Sequence, residues 1–422
     1  MTRNSQPRVA LSGLGVVSAA GIGLQDFREA LQSGRSGIAA VSGGLLPAAA
    51  LLAEFSWADW LESVRPLDTN IYLRARKILH NAPDSVRYSA RAAIQAYFDA
   101  GLHEQRIPAE DIGLVVAGSN LHQRFVAENA AKFGQRPESI NPRYALNFWD
   151  THQVGCLSEI LGIKGMSYTV GGASAGGNVG LHQGAAWIRS GMLRGCLVVG
   201  ASSDFSPLEF QAFSILGAID VTVKPEMASS ACRPFDRGHS GFVWGQGSGA
   251  AFLESFESAA LRAVTIHAEL AGSAVTMDAN HLSNPNREGE IRAMRMALEA
   301  AGMAPEEMDY VNAHGTSTPL GDQVECEAIR ELFQGRAAEV WINSTKSFTG
   351  HCMAASSVIE LVAVALQMKH AFLHANLNLD EPIADGLRFV GKEAVPVKVR
   401  CALSNAFGFG GFNTSLAIRH VE

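Results

Sequence analysis

One stretch limits what this chain can become more than any other: Tyr168-Thr-Val-Gly-Gly-Ala-Ser174-Ala-Gly-Gly-Asn-Val-Gly-Leu-His-Gln-Gly-Ala-Ala-Trp-Ile188. Its β-branched start predicts a short strand, Gly171 to Gly177 an elbow of small residues, and the remainder an apolar helix to about Gly191. Such an elbow lifts the Ser174 hydroxyl to the first turn of a helix. There the free N–H groups and the positive end of the helix dipole favour developing negative charge. Glycines on both sides let another backbone or a substrate come close. A tight turn with a serine N-cap reads the same in isolation, so the rest of the chain has to separate the two.

At 422 residues the chain is too long for one simple core and suits two domains or a duplicated one. Its 47% hydrophobic and 18% charged residues describe a compact enzyme rather than a disordered or coiled chain. A formal charge of −7 argues against a nucleic-acid partner. The six cysteines (Cys156, Cys196, Cys232, Cys326, Cys352 and Cys401) show no metal-ligand or redox spacing. They fit reduced, buried thiols in a cytoplasmic protein, with no metal site. The apolar run from Leu45 to Phe55 is short and broken at Pro47, so neither a membrane span nor a signal peptide is expected.

Residues 8 to 17 predict a strand running into Gly13 and Gly15. Ser18 occupies the third glycine position of a dinucleotide fingerprint and no acidic residue follows at the right spacing, so a nucleotide site is rejected. A helix is expected over Asp26 to Gly37, then a surface excursion to about Phe55. Residues 71 to 101 read as one or two helices with a basic start, Arg74, Arg76 and Lys77, either a solvated face or a dock for an acidic partner. Ile112 to Val116 and Cys196 to Ala201 are buried strands. Phe148, Trp149 and His152 could line a subunit interface. From about Ala263 the order of elements starts again: a strand Val264 to Ala271, a helix Glu288 to Gly302, strands at Tyr310 and Val340, and an apolar helix Ala354 to Met368 entered through Gly350. A last strand, Val397 to Ser404, leads to a glycine loop, Phe407 to Phe412. Two strand–loop–helix halves, residues 1–260 and 261–422, suggest an internal duplication.

Three loops that end buried strands carry polar chemistry: His314-Gly-Thr-Ser-Thr-Pro-Leu-Gly-Asp322, Lys346-Ser-Phe-Thr-Gly-His351 and Asn405-Ala-Phe-Gly-Phe-Gly-Gly-Phe-Asn413. Glycines in the third leave backbone N–H groups free for an oxyanion. With Arg233-Pro-Phe-Asp and the elbow, this set resembles the β-ketoacyl synthases, condensing enzymes of the thiolase-fold superfamily. The likeness runs from Gly13 to Gly411. It implies a five-layered αβαβα α/β fold of two duplicated halves, usually a homodimer, with no resident cofactor. Phosphopantetheine would arrive on an acyl carrier protein. It also implies that His314 and His351 are the paired active-site histidines, with Lys346 and Glu360 in the charge network around them and Glu360 counted also among the substrate-binding residues. Thr316 and Thr318 would bind the pantetheine arm beside Phe407, and Phe409 would gate the pocket, its N–H forming an oxyanion hole with that of residue 174.

The departures bear on function. Where the family has a nucleophilic cysteine this chain has Ser174, and no other cysteine lies in a comparable elbow. A serine hydroxyl stays protonated and needs a base, and its acyl ester reacts poorly with a carbanion. Loading and extending a chain should therefore be poor. The histidines that stabilise the enolate of a decarboxylating malonyl thioester remain. The chain thus resembles the free-standing decarboxylating variants of polyketide β-branching cassettes, which turn malonyl on a carrier protein into acetyl. Malonyl is the expected acyl group, with methylmalonyl open. Two rival readings stay open: a Ser174-dependent acyltransferase or condensing enzyme, and a non-catalytic partner subunit of the chain-length-factor kind. Gln246 stands where the family has glutamate, and His239-Ser240 where it has an Arg-Asp pair; either change could retune the site or mark its decay.

Overall fold

The computed structural model describes residues 7–42, 45–53 and 56–421. Eleven strands form one sheet: β1 (Val9–Ser18), β2 (Ile112–Ala117), β3 (Ser167–Val170), β4 (Gly195–Gly200), β5 (Gly247–Ser255), β6 (Ala268–Met277), β7 (Tyr310–Asn312), β8 (Trp341–Asn343), β9 (Arg388–Phe389), β10 (Cys401–Gly408) and β11 (Phe412–Arg419). The principal helices are α1 (Leu24–Ser33), α2 (Thr69–Leu79), α3 (Asp84–Asp99), α4 (Thr151–Leu161), α5 (Gly176–Arg189), α6 (Arg287–Ala301), α7 (Pro319–Phe333) and α8 (Ala354–His370).

The duplication is legible in the sheet. The first half runs β3-β2-β4-β5-β1 and the second β8-β7-β10-β11-β6, with β9 added at its edge. Each half has its first three strands parallel and the next two antiparallel. The halves join where β1 meets β6, over two residue pairs, Ala10 with Glu269 and Leu11 with Ala268. Helix α3 covers β1, β4 and β5 on one outer face, and α6 covers β6, β10 and β11 on the other. Between them α5 and α8 touch strands of both halves. This is the αβαβα layering. Strands β2 and β4 are buried at every residue, which is why Ile-Gly-Leu-Val-Val-Ala and Gly-Cys-Leu-Val-Val-Gly show no polar alternation.

Several expectations shift. The first helix spans 24–33 rather than 26–37, because Gly34 turns left-handed (φ 74°) and closes it. The strand expected at 264–271 lies at 268–277, since Val264 still caps the preceding turn through Ala259 while Ser273 to Met277 pair with β11. The last strand begins at Cys401, not Val397, and runs through the expected loop to Gly408. Strand β11 escaped notice because Asn413, Thr414 and Ser415 are polar yet buried. The loop expected over 314–322 gives way at Pro319 to helix α7, which the proline starts at its first turn. The segment expected as a surface excursion is partly internal. Ala48 to Ala50 are buried, and Ala50 exchanges backbone hydrogen bonds with Trp244 (2.9 Å) and Gln246 (2.8 Å). Phe55, the end of that run, lies outside the described residues.

The two central helices meet almost backbone to backbone. A Cβ on Gly177 would strike Ser357 Oγ and come within 2.6 Å of the Ala354 carbonyl. Asn178 ties the contact down: its N–H donates to Ser357 Oγ (3.1 Å), and its Nδ2 donates to the Ser404 carbonyl (3.3 Å) and Thr414 Oγ1 (3.1 Å). Gly177→Ala is expected to cost about 1–3 kcal/mol by overpacking, read as a lower urea midpoint. Unchanged stability would show that the helices do not touch there.

Candidate active site

The elbow forms as its residues dictate. Strand β3 ends at Val170, Gly172 takes φ 145° and Ala173 takes φ 47°, and a single 3₁₀ turn, Ala173–Ala175, leads into α5. A positive φ on alanine is strained by about 1–2 kcal/mol. Ser174 is not the N-cap of a plain turn. Its Oγ points across the central layer to His351 Nε2 at 2.8 Å. His351 comes from the other half, at the equivalent entrance to α8, where Met353 is also strained (φ 53°).

His314 follows β7. Its ring lies 5.8 Å from that of His351, edge to face, and 5.6 Å from Phe407. Phe242 packs edge-on against His351 at 5.2 Å. Beneath them Lys346, 1% exposed, donates from Nζ to the His314 carbonyl and to Glu360 Oε1, each at 2.6 Å. Burial, then the Lys346 ammonium, holds both imidazoles well below the ordinary histidine value, and the neighbouring His351 lowers His314 further. Both rings are neutral at pH 7. Burial also raises Glu360, against the pull of the ammonium that pairs with it.

Elements of both halves bring the expected residues together. Gly408 presses against the elbow: a Cβ there would lie 2.6 Å from the Gly172 carbonyl and 3.3 Å from the Ala175 nitrogen. Phe409 follows directly; it is 43% exposed, and its ring sits 6.5 Å from that of Phe213. Thr316 and Thr318 hydrogen-bond each other through their hydroxyls at 2.8 Å, along the loop that leaves His314. Glu360, grouped at first with the substrate-binding residues, is 1% exposed and paired with Lys346, so it lies out of a substrate's reach.

The basic strip is not a row of free cations. Arg74 Nε donates to the Ile160 carbonyl at the end of α4 (2.9 Å), and Lys77 pairs with Glu159 (3.3 Å); Arg76 is exposed and reaches the Tyr72 hydroxyl. Tyr144 stacks on Phe148, which packs against Trp149, itself 58% exposed. All six cysteines are buried. Burial pushes Cys232 and Cys352, the thiols bonded to carbonyls of the Lys346–His351 loop, up to about 12, so neither supplies a thiolate in place of Ser174.

The two departures hold partners. His239 Nδ1 lies 3.3 Å from Asp322, whose carboxylate accepts the N–H groups of Phe235 and Ser317. Gln246 Oε1 accepts the Leu52 N–H at 3.1 Å. Each side chain is tied into the local framework. Two residues went unnoticed in the sequence. Glu325 accepts the N–H groups of His314 and Gly315, each at 2.8 Å, and burial pushes its carboxyl up to about 7. Its signal was the buried face Asp322, Glu325, Cys326 and Ile329, at helical spacing in the undetected α7. Ser356, at Nδ1 of His351, left no signal.

Comparisons with known proteins point to one family. The family model for the β-ketoacyl synthase N-terminal domain matches residues 6–259, and that for the C-terminal domain residues 267–380. The polyketide biosynthesis malonyl-ACP decarboxylase PksF of Bacillus subtilis is 35% identical, over 100% of this chain and 99% of that protein. The 3-oxoacyl-(acyl-carrier-protein) synthase 2 of Coxiella burnetii is 31% identical over 98% of this chain and 99% of its own. Among solved structures, a type II polyketide ketosynthase in complex with its acyl-carrier protein superposes with a TM-score of 0.88 at 26% identity, covering 99% of this chain and 100% of that one. The ishigamide ketosynthase/chain length factor gives 0.86 at 29%, with the same coverage.

Two outcomes test the site. Lys346→Met should cost about 3–5 kcal/mol, because Glu360 is left buried and unpaired. Adding Glu360→Leu should recover most of that stability in urea melts without recovering turnover. The Glu325 carboxylate holds the His314 loop only when ionised, so turnover should fall as pH drops through about 7. Glu325→Gln should abolish that step and leave a profile level through pH 6.5, because both imidazoles are already neutral. A limb near 6.5 that survives Glu325→Gln would contradict the neutral pair.

Proposed function

The chain belongs to the β-ketoacyl synthase family, and we propose that within it this protein breaks a carbon–carbon bond rather than makes one: it decarboxylates malonyl-ACP to acetyl-ACP in polyketide biosynthesis. One observation carries this. The two neutral histidines and their lysine support are assembled as a unit around a serine that no thiol can replace.

The substrate reaches the site on the phosphopantetheine arm of an acyl carrier protein, and the enzyme holds no cofactor of its own. Thr316 and Thr318 bind the arm, and the thioester carbonyl lies among His314, His351 and the N–H groups of residues 174 and 409. Breaking the bond between the α-carbon and the carboxylate sends its electron pair towards the thioester oxygen. Preformed donors stabilise that charge, each worth ~10²–10³ in rate. Carbon dioxide leaves. With no acyl group loaded on residue 174, the enolate carbon takes up a proton and becomes acetyl. Thr-bound pantetheine, the gating role of Phe409, a homodimer with Phe148, Trp149 and His152 near its interface, and a cytoplasmic setting complete the proposal.

A Ser174-dependent transferase finds support in the 2.8 Å contact with His351, and the two readings part on one experiment. Malonyl-loaded carrier is incubated with the protein and followed by intact-mass spectrometry. A decarboxylase yields acetyl carrier, loses this with His351→Ala, and largely keeps it with Ser174→Ala. A transferase acylates Ser174 and is dead as Ser174→Ala. Unchanged malonyl carrier with the native protein would sink the decarboxylase.

A further inference from the structure

Ser356 stands in the first turn of α8, 3% exposed. Its Oγ has two neighbours, the backbone N–H of Cys352 at 2.8 Å and Nδ1 of His351 at 3.1 Å. The amide can only donate, so Oγ accepts from it. The hydroxyl then has one proton to place, and a buried donor left without an acceptor costs about 1–3 kcal/mol. His351 Nδ1 is the acceptor beside it. A neutral imidazole carries a single N–H, and an Nδ1 that accepts leaves that proton on Nε2. Nε2 is the atom facing Ser174 Oγ.

We propose that Ser356 is a positioning residue: it locks His351 in the Nε2–H tautomer, which turns His351 into a fixed donor to the substrate and denies Ser174 a base. This deepens the decarboxylase reading and rests on it. The Ser174–His351 contact looks like the front half of a serine hydrolase dyad, in which the imidazole must accept the hydroxyl proton. Here its polarity is reversed. Oγ receives a hydrogen bond, and it has no second hydrogen-bond partner among the described residues to take its proton. When the malonyl thioester enters, its carbonyl oxygen replaces Oγ as the acceptor. The pair of electrons from the departing carboxylate then arrives at an oxygen that already faces a donor, with no reorganisation of the ring. Water supplies the proton that ends on the α-carbon.

The test reads the ring nitrogens directly. Protein labelled with ¹⁵N-histidine is examined at pH 7 by two-bond proton–nitrogen correlation, with His351→Gln to identify the signal. The native protein should show a protonated Nε2 and an unprotonated Nδ1 on His351. Ser356→Thr, which keeps the hydroxyl, should show the same, and Ser356→Ala should gain the Nδ1–H form. Turnover of malonyl carrier by Ser356→Ala should fall on the order of tenfold in kcat with KM unchanged, and Ser174 should become open to a fluorophosphonate probe. A proton on Nδ1 in the native protein, or a Ser356→Ala spectrum identical to the native one, overturns the proposal. If Ser356→Ala does not fold, the native and Ser356→Thr spectra decide it. Failure of the native protein to decarboxylate malonyl carrier would overturn the enzymatic reading alone, because the tautomer is read without substrate.

Discussion

The close approach of α5 and α8 is the constraint on which the rest depends. Each helix is entered through a strained turn, one carrying Ser174 and the other following His351. Neither turn could place its side chain against the other unless the helices came nearly into backbone contact. Gly176 and Gly177 on one side, and Ala354 and Ser357 on the other, leave the space for that. The 2.8 Å contact at the centre is therefore a product of helix packing, with small residues setting the distance. The sheet halves on either side act as walls that keep the two helices from sliding.

Charge is arranged around this contact so that the centre stays neutral. Lys346 is fully buried, yet its ammonium is satisfied by the His314 carbonyl and by Glu360. Burial, joined by the same positive charge that anchors the loop, keeps protons off both imidazoles. Two neutral N–H donors beside a buried cation favour an anionic state that appears only in the course of reaction, which is the differential stabilisation catalysis requires.

Much of this was legible in the chain. Ser174, His314, Lys346 and His351 announced themselves because each sits where a strand gives way to glycines and hydroxyls, and such loops have few structural reasons to hold polar groups. The repeated order of strand, loop and apolar helix pointed to a duplication, and the resemblance to the family implied the layers. What stayed hidden was set by tertiary contact. Strand β11 has polar residues that are buried, because Thr414 donates to the Ala406 carbonyl and Ser415 to Asn405. Helix α7 was masked by the loop motif before it, and Glu325 was lost with it. Ser356 is one of two adjacent serines in an apolar helix, and only the fold shows which of them lies against a ring nitrogen.

The two halves of the molecule have the same strand order, yet each supplies different parts of the centre: the elbow comes from the first, both histidines and the lysine from the second. Sites at the seam of a duplicated fold divide labour in this way. Residue 174 reaches the seam on the elbow of the first copy, and its hydroxyl makes one hydrogen bond there, to His351. An exchange of that side chain leaves the sheet, the helix contact and the backbone N–H groups in place. The architecture thus separates two questions, where charge is stabilised and whether anything is carried at the elbow, and lets a single codon answer the second without reopening the first.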